Sequence, residues 1–104
     1  MKKRFVVILG DNATAGQHQV FLLHLKATQP FLGWWHRVAN TWLVVDLNGS
    51  TTAVELRDAA MQCFPSVHCI VLEFSAGGES TWAGFGPKTG TNDWFTWIKE
   101  NWQQ

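Results

Sequence analysis

The sequence predicts an α+β domain built on a four-stranded antiparallel sheet, and three observations support this class. Short apolar or β-branched runs alternate along the chain with stretches of helical apolar spacing. Pro, Gly and Asn residues separate these segments, as turns require. The composition is 46% hydrophobic and 15% charged, which is typical of a globular protein with a core. At 104 residues the length favours a single domain over residues 1–104.

A strand and a helix are predicted at the start of the chain. Residues 5–9 are continuously apolar and end at a Gly-Asp-Asn sequence, which indicates a central strand buried on both faces and followed by a turn. Residues 16–29 have helical spacing, and Pro30 ends the helix. The apolar stripe of this helix is predicted to contain Val20, Leu23 and Ala27, with Phe21 and Leu25 beside it.

A hairpin follows the first helix. Residues 34–38 and 42–47 are rich in aromatic and β-branched side chains, which favour strands. Asn40 lies between them and tolerates the left-handed backbone of a tight turn. The second arm is predicted to lie inside the sheet.

A capping box begins a second helix. Thr52 and Glu55 have the spacing at which both side chains bind open amides of a first helical turn. Pro65 ends this helix before a last strand over residues 67–74. The stripe that faces the core is predicted to be Leu56, Ala60, Cys63 and Phe64.

A loop and a third helix are predicted at the end of the chain. Residues 76–90 contain five Gly and one Pro. The aromatic rings and backbone freedom of this loop suit either the stacking of a base or a crossing to a partner subunit, and we favour the structural role. The helix is predicted to begin at Thr91 or Asn92 and to have a stripe of Trp94, Trp97, Ile98 and Trp102.

The order of the elements predicts a ferredoxin-like βαββαβ fold with a C-terminal helix. Two strand-helix-strand units joined by a hairpin give the expected strand order 4-1-3-2, with the two most apolar strands in the middle. The first two helices cover one sheet face, and the apolar residues on the other face need a cover. The third helix or a second copy of the chain would provide it. We favour the second copy and predict a homodimer through the sheet.

The charge balance argues against strong binding of polyanions. Eight Lys and Arg residues oppose eight Asp and Glu residues, so the formal net charge is zero. Nucleic-acid binding would therefore depend on a local patch. The candidates for that patch are Lys2, Lys3, Arg4 and Arg37.

The short apolar runs and the low number of cysteines bear on the compartment in which the protein is found. No run approaches the ~20 apolar residues of a membrane helix, and no signal peptide or membrane contact is expected. Cys63 and Cys69 are too few for a disulfide framework. We predict a cytoplasmic protein in which both thiols stay reduced.

The predicted hairpin contains a sequence motif. The segment WWHR at residues 34–37, followed by TWLVV at residues 41–45, resembles the hairpin of the bacterial SinR-like family, which is unrelated to the helix-turn-helix repressor of that name. That family is similar to the small CRISPR-associated spacer-acquisition subunit and to the virulence-associated protein D toxins. The resemblance covers nearly the whole chain and implies a ferredoxin-like homodimer that acts on nucleic acid. Further similar segments are residues 55–58, 71–73, 82–85, 92–94 and 98–101.

The resemblance implies a metal-binding role for Asp11. In the wider superfamily an acidic residue at the end of the first strand is the proposed ligand of a divalent metal for phosphodiester cleavage, and Asp11 has that place here. One carboxylate from each subunit would hold Mg²⁺ or Mn²⁺. This chain differs from the relatives in having Gly10 where they commonly have Tyr. From the residues alone, Asp11 and Asn12 favour an Asx-type turn over a metal site.

His36 is a candidate general acid or base, because an imidazole titrates near physiological pH. A structural hydrogen bond is the more common role of a His in a strand, and the sequence positions no Ser, Cys or Asp for a triad with it. The sequence has three other histidines, which are His18, His24 and His68. They lack the paired spacing that is typical of a metal site.

Two functions remain after these observations. The first is a small dimeric module that binds or acts on nucleic acid or nucleotides, with Asp11 and His36 as catalytic candidates and Mg²⁺ or Mn²⁺ as cofactor. The alternative is a protein-interaction or regulatory module without catalysis, which the neutral charge favours. We rank the first narrowly ahead.

Overall fold

A computed structural model describes residues 2–74 of the chain. Its elements are β1 (Lys3–Leu9), α1 (Ala15–Thr28), β2 (Gly33–Trp35), β3 (Thr41–Asp46), α2 (Ala53–Cys63) and β4 (Cys69–Phe74). No helix within this part of the chain is both long and apolar enough to cross a membrane. The predicted loop over residues 76–90 and the predicted third helix lie outside the described residues.

The four strands form one antiparallel sheet in the order β2-β3-β1-β4. This is the predicted order 4-1-3-2 read from the opposite edge of the sheet. The α+β class, the antiparallel sheet and the inner positions of β1 and β3 are therefore confirmed. Both inner strands contain continuous apolar runs, as expected for strands with neighbours on each side.

The register of the sheet decides which side chains of the inner strands face the helices. Phe5 pairs with Val44, and Val7 pairs with Trp42. These four side chains are at most 1% exposed and lie in one hydrophobic core. The helices contribute Phe21, Leu25, Leu56, Ala60 and Cys63 to the same core. Both helices therefore pack on one face of the sheet.

Capping boxes hold the starts of both helices. The Thr52 hydroxyl accepts a hydrogen bond from the Glu55 backbone N–H at 3.1 Å, and the Glu55 carboxylate accepts one from the Thr52 N–H at 3.0 Å, as predicted. The same device, missed in the sequence, begins α1. There the Thr14 hydroxyl accepts from the Gln17 N–H at 3.1 Å, and the Gln17 side chain accepts from the Thr14 N–H at 2.9 Å. Each box satisfies two of the open amides of its first turn.

The side chains of α1 that face the sheet are not those of the predicted apolar stripe. Val20 and Leu23 are 52% and 55% exposed, whereas Phe21 and Leu25 are buried. Both sets have helical spacing, and the Phe21 ring occupies the core position by packing edge-on against Trp42 at 5.2 Å. The predicted stripe is therefore wrong for α1. The predicted stripe of the second helix is confirmed, since Leu56, Ala60, Cys63 and Phe64 are all buried.

The hairpin between β2 and β3 has a longer connection than predicted. β2 ends at Trp35 rather than at residue 38. The Thr41 carbonyl accepts a hydrogen bond from Nδ1 of the His36 imidazole at 2.8 Å, and not from the His36 backbone. Regular strand pairing therefore stops at this residue. Asn40 has a φ of 60°, which confirms the predicted left-handed turn.

The sheet face away from the helices has apolar side chains at its surface. Ile8, Ile70 and Leu72 are 39%, 52% and 41% exposed. Ile8 pairs with Ile70, and Leu72 lies two residues along β4 on the same face. We call these three residues the helix-free patch. The prediction that residues 5–9 are buried on both faces is wrong at Ile8.

The two cysteines lie on different elements, with Cys63 at the end of α2 and Cys69 at the start of β4. Both are free thiols in this structure. Burial raises the pKa of each thiol, which lowers the fraction of reactive thiolate at neutral pH.

Candidate functional site

Three segments that are distant in sequence meet at one end of the strands, where β1 stops and β3 begins. The Leu9 N–H at the end of β1 donates to the Asn40 carbonyl of the hairpin at 2.8 Å. The next N–H, of Gly10, donates to the His68 carbonyl before β4 at 2.8 Å. The chain then turns through Asp11 into α1. The start of α1 and the hairpin are thereby placed side by side.

His18 of α1 and Trp42 of β3 form a hydrogen-bonded pair of rings. The indole N–H of Trp42 donates to Nδ1 of His18 at 3.0 Å. Because an indole nitrogen only donates, this Nδ1 carries no proton and the proton of the neutral ring lies on Nε2. That Nε2 donates to the side-chain oxygen of Asn40 at 2.9 Å. Both nitrogens of a neutral His18 are therefore satisfied, and a proton on Nδ1 would break the bond to Trp42.

His36 packs against both rings of this pair. Its imidazole is parallel to the Trp42 indole, with 4.2 Å between ring centroids and 4° between planes. It also stacks on His18 at 4.6 Å. The Thr41 carbonyl can only accept, so Nδ1 of His36 is the protonated nitrogen of its neutral ring. Nε2 of His36 makes no hydrogen bond to any other residue that the structure describes.

The surroundings of His36 favour its neutral form. Burial lowers the pKa of His36 below its ordinary value, the Thr41 carbonyl acts in the opposite direction, and the nearby His18 lowers the pKa further. A neutral imidazole with one unprotonated nitrogen can accept a hydrogen bond or a proton from a bound molecule. His36 is therefore a candidate acid-base group of this site.

A cavity of about 520 Å³ lies over these rings, and we call it the ring pocket. None of the described residues that line it has a formally charged side chain at neutral pH. Leu22 and the alanines at positions 13, 15 and 39 supply apolar lining. The rings and polar groups among the described lining residues are those of His18, Gln19, Trp34, His36, Asn40 and Trp42. The ring pocket thus combines aromatic planes with a few polar atoms, as small-molecule sites do.

His18 is a central residue of this site that sequence reasoning did not place in it. It follows the Thr14 cap on α1 and faces the sheet together with Phe21 and Leu25, at positions i, i+3 and i+7. A polar residue within such a stripe indicates a partner on the neighbouring element, and here the partner is Trp42. The spacing of His18 relative to Phe21 and Leu25 is the feature of the sequence that could have identified it as a site residue.

Asp11 lies in the turn that leads from β1 to α1. The turn is closed by a hydrogen bond from the Ala13 N–H to the Gly10 carbonyl at 3.1 Å. Asp11 is exposed, two residues before Ala13, which lines the ring pocket. The amide of Asn12 donates to the Ser66 carbonyl at 3.1 Å. A turn is therefore present at Asp11, and the bond that closes it is a backbone hydrogen bond. The Asx-type side-chain bond expected from the residues stays a prediction.

The described residues of one chain do not form a metal site around Asp11. No group of three or more potential ligands occurs within residues 2–74. Asp11 supplies one carboxylate, which falls short of the ligand set of a divalent metal site unless other groups join it. His36 and Asp11 do lie at the same end of the strands, since each follows the last residues of its strand.

The four basic candidates are not brought together. Arg4 is 2% exposed, so its guanidinium is not a surface group. Lys3 at the beginning of β1 donates from Nζ to the Thr51 carbonyl at 3.1 Å, and Lys2 precedes it. Arg37 is exposed in the hairpin, at the other end of the sheet. Because β1 has seven residues, these two ends are about 20 Å apart.

The free energy of unfolding is expected to decrease as the pH falls below about 6.5, the usual pKa of His. The pKa of His36 is lower than this in the folded protein, so the unfolded chain binds the proton more readily. The stabilisation is complete above the unfolded pKa and is lost as the pH falls toward the folded one. Urea unfolding at pH 7.5 and 5.5 measures the difference. His36→Gln should reduce this difference in the free energy of unfolding. An unchanged difference in the variant would mean that another group causes the pH dependence.

Comparison of the chain with protein-family models, with curated proteins and with solved structures found no match.

Proposed function

We propose that the protein binds a nucleotide, or one unpaired nucleotide of a nucleic acid, in the ring pocket. The observation that carries this proposal is a cavity of about 520 Å³ whose lining residues within 2–74 include two indoles and two imidazoles. Cavities of roughly 300–1,000 Å³ bind small molecules, and bases stack on aromatic planes whatever their identity. The resemblance of the hairpin to the SinR-like family supports the same class of ligand.

The charges around the ring pocket favour binding of the base rather than of the phosphate. The lining described above has no Lys or Arg, whereas Arg37 is exposed beside His36 in the hairpin. Arg37 is the candidate for contact with a phosphate outside the pocket. With one such contact, the affinity for nucleic acid should be weak and should depend little on salt.

Isothermal titration with the four nucleoside monophosphates and with a short mixed single-stranded RNA tests the proposal. Trp34→Leu removes a half-buried ring from the pocket and should weaken binding about fivefold or more. Val38→Ala is the matched control, because Val38 is 50% exposed in the same hairpin and does not line the pocket. Absence of binding by the unaltered protein would overturn the proposal and leave the protein-interaction module.

We include metal-dependent cleavage in the proposal, on the strength of the resemblance. Cleavage of RNA or DNA is expected to require Mg²⁺ or Mn²⁺ and to be abolished in Asp11→Asn, which keeps the side-chain shape but loses the anionic ligand. The exposure of Asp11 predicts that this variant folds normally. Asp58→Asn is the control, since Asp58 is an exposed carboxylate on α2 paired with Arg57. Undiminished cleavage in Asp11→Asn would remove Asp11 from the mechanism.

We also propose a homodimer through the helix-free patch. The patch places three exposed apolar side chains beside the outer edge of the sheet, and their burial at ~25 cal/mol per Å² would drive association. Sedimentation equilibrium at micromolar concentration should detect a dimer. Ile70→Lys should convert it to the 11.7 kDa monomer. Leu23→Lys, at an equally exposed position on α1, should leave it dimeric. A monomer in the unaltered protein would contradict the proposal.

A further inference from the structure

Two residues that line the ring pocket, His36 and Asn40, have hydrogen-bonding roles that are set by their partners in the protein. The protonated Nδ1 of His36 donates to the Thr41 carbonyl, so Nε2 of the neutral ring is an acceptor. The side-chain oxygen of Asn40 receives the proton of His18, which leaves the Asn40 amide group as a donor. Neither remaining group has a hydrogen bond to another residue within 2–74.

These two roles cannot be exchanged without breaking contacts. The indole of Trp42 only donates, so it determines the proton position on His18 and, through His18, the orientation of the Asn40 amide. Rotation of the His36 ring by 180° would remove the bond to the Thr41 carbonyl. The lowered pKa of His36 agrees with a neutral ring at pH 7.

We infer that the ring pocket selects an uncharged nitrogen heterocycle whose bound edge offers an N–H to His36 and a lone pair to Asn40. The inference rests on the proposed function. It specifies the ligand as a nucleobase that is bound through its hydrogen-bonding edge. An anionic group does not suit the pocket, because an unprotonated imidazole nitrogen repels it and none of the lining residues within 2–74 is a Lys or Arg.

Paired nucleosides that differ in the N–H donor test this inference by isothermal titration at pH 7.5. The pairs are adenosine with purine riboside, cytidine with 2-pyrimidinone riboside, uridine with 3-methyluridine, and guanosine with 1-methylguanosine. For the nucleoside that binds best, loss of its donor should weaken binding about tenfold, because the acceptor of His36 is then left unpaired in the complex. Inorganic phosphate at the same concentration should not compete.

His36→Phe is the matched variant, since it keeps an aromatic plane but has no acceptor. It should bind both members of the chosen pair with affinities within about threefold of each other. If the variant does not fold, the comparison within the unaltered protein still decides the question. Equal binding of both members by the unaltered protein would overturn the inference and leave nucleotide binding intact. Absence of binding by every nucleoside and nucleotide would overturn the proposed function as well.

Discussion

Replacing Val7 with aspartate is expected to unfold the protein, whereas the same change at the next residue, Ile8, is expected to leave it folded. Val7 is 0% exposed, and it faces the core beneath both helices. A carboxylate there must stay buried and unpaired or take up a proton. A shift of three or more pKa units corresponds to a loss of about 4 kcal/mol or more. Domains of this size are stable by only about 5–15 kcal/mol.

Ile8 is the matched control because it lies on the same strand and is 39% exposed on the opposite face. A carboxylate at Ile8 keeps contact with water and costs little in the fold of one chain. Far-UV circular dichroism and urea unfolding of the two variants measure the difference. A folded Val7→Asp protein together with an unfolded Ile8→Asp protein would mean that the helices pack on the other face. The homodimer prediction is separate, since Ile8→Asp should weaken the dimer without unfolding the chain.

Replacing Trp42 with alanine is expected to lower the free energy of unfolding by about 3–5 kcal/mol. Trp42 is 1% exposed. It contacts rings of α1, of β2 and of the connection after β2. It meets Phe21 edge-on at 5.2 Å, stacks under His36 at 4.2 Å and donates to His18 at 3.0 Å. Its removal leaves a cavity and also removes the wall of the ring pocket. Urea unfolding measures the loss, and nucleotide binding should disappear in the folded fraction.

Trp42→Phe separates the hydrogen bond of Trp42 from its volume. Phenylalanine keeps most of the apolar contact but leaves Nδ1 of His18 without a donor, so a smaller loss of about 1–3 kcal/mol is expected. The orientation of the Asn40 amide should then relax, because His18 can carry its proton on either nitrogen. Stability equal to that of the unaltered protein would show that the indole N–H has no structural role.

The sequence determined the elements of the described part because those elements depend on neighbours in the chain. The apolar run at residues 5–9, the capping box at Thr52 and the left-handed turn at Asn40 each follow from local sterics or hydrogen bonds, and all three are present. The strand order followed as well, because connections between adjacent elements allow few arrangements. Turn formation at Asp11 was predictable for the same reason.

Tertiary structure alone decided which faces are buried and which side chains meet. Alternation in β1 is equally compatible with Val7 or Ile8 in the core, and helical spacing in α1 is equally compatible with Phe21 or Val20. The choice depends on which set fills the space between sheet and helices. Packing likewise stacks His18 on His36, eighteen residues apart in sequence. The strand register places Lys3 opposite Asp46, at the end of β3 away from the hairpin. These contacts join residues that no local pattern connects, so packing, rather than propensity, creates the ring pocket.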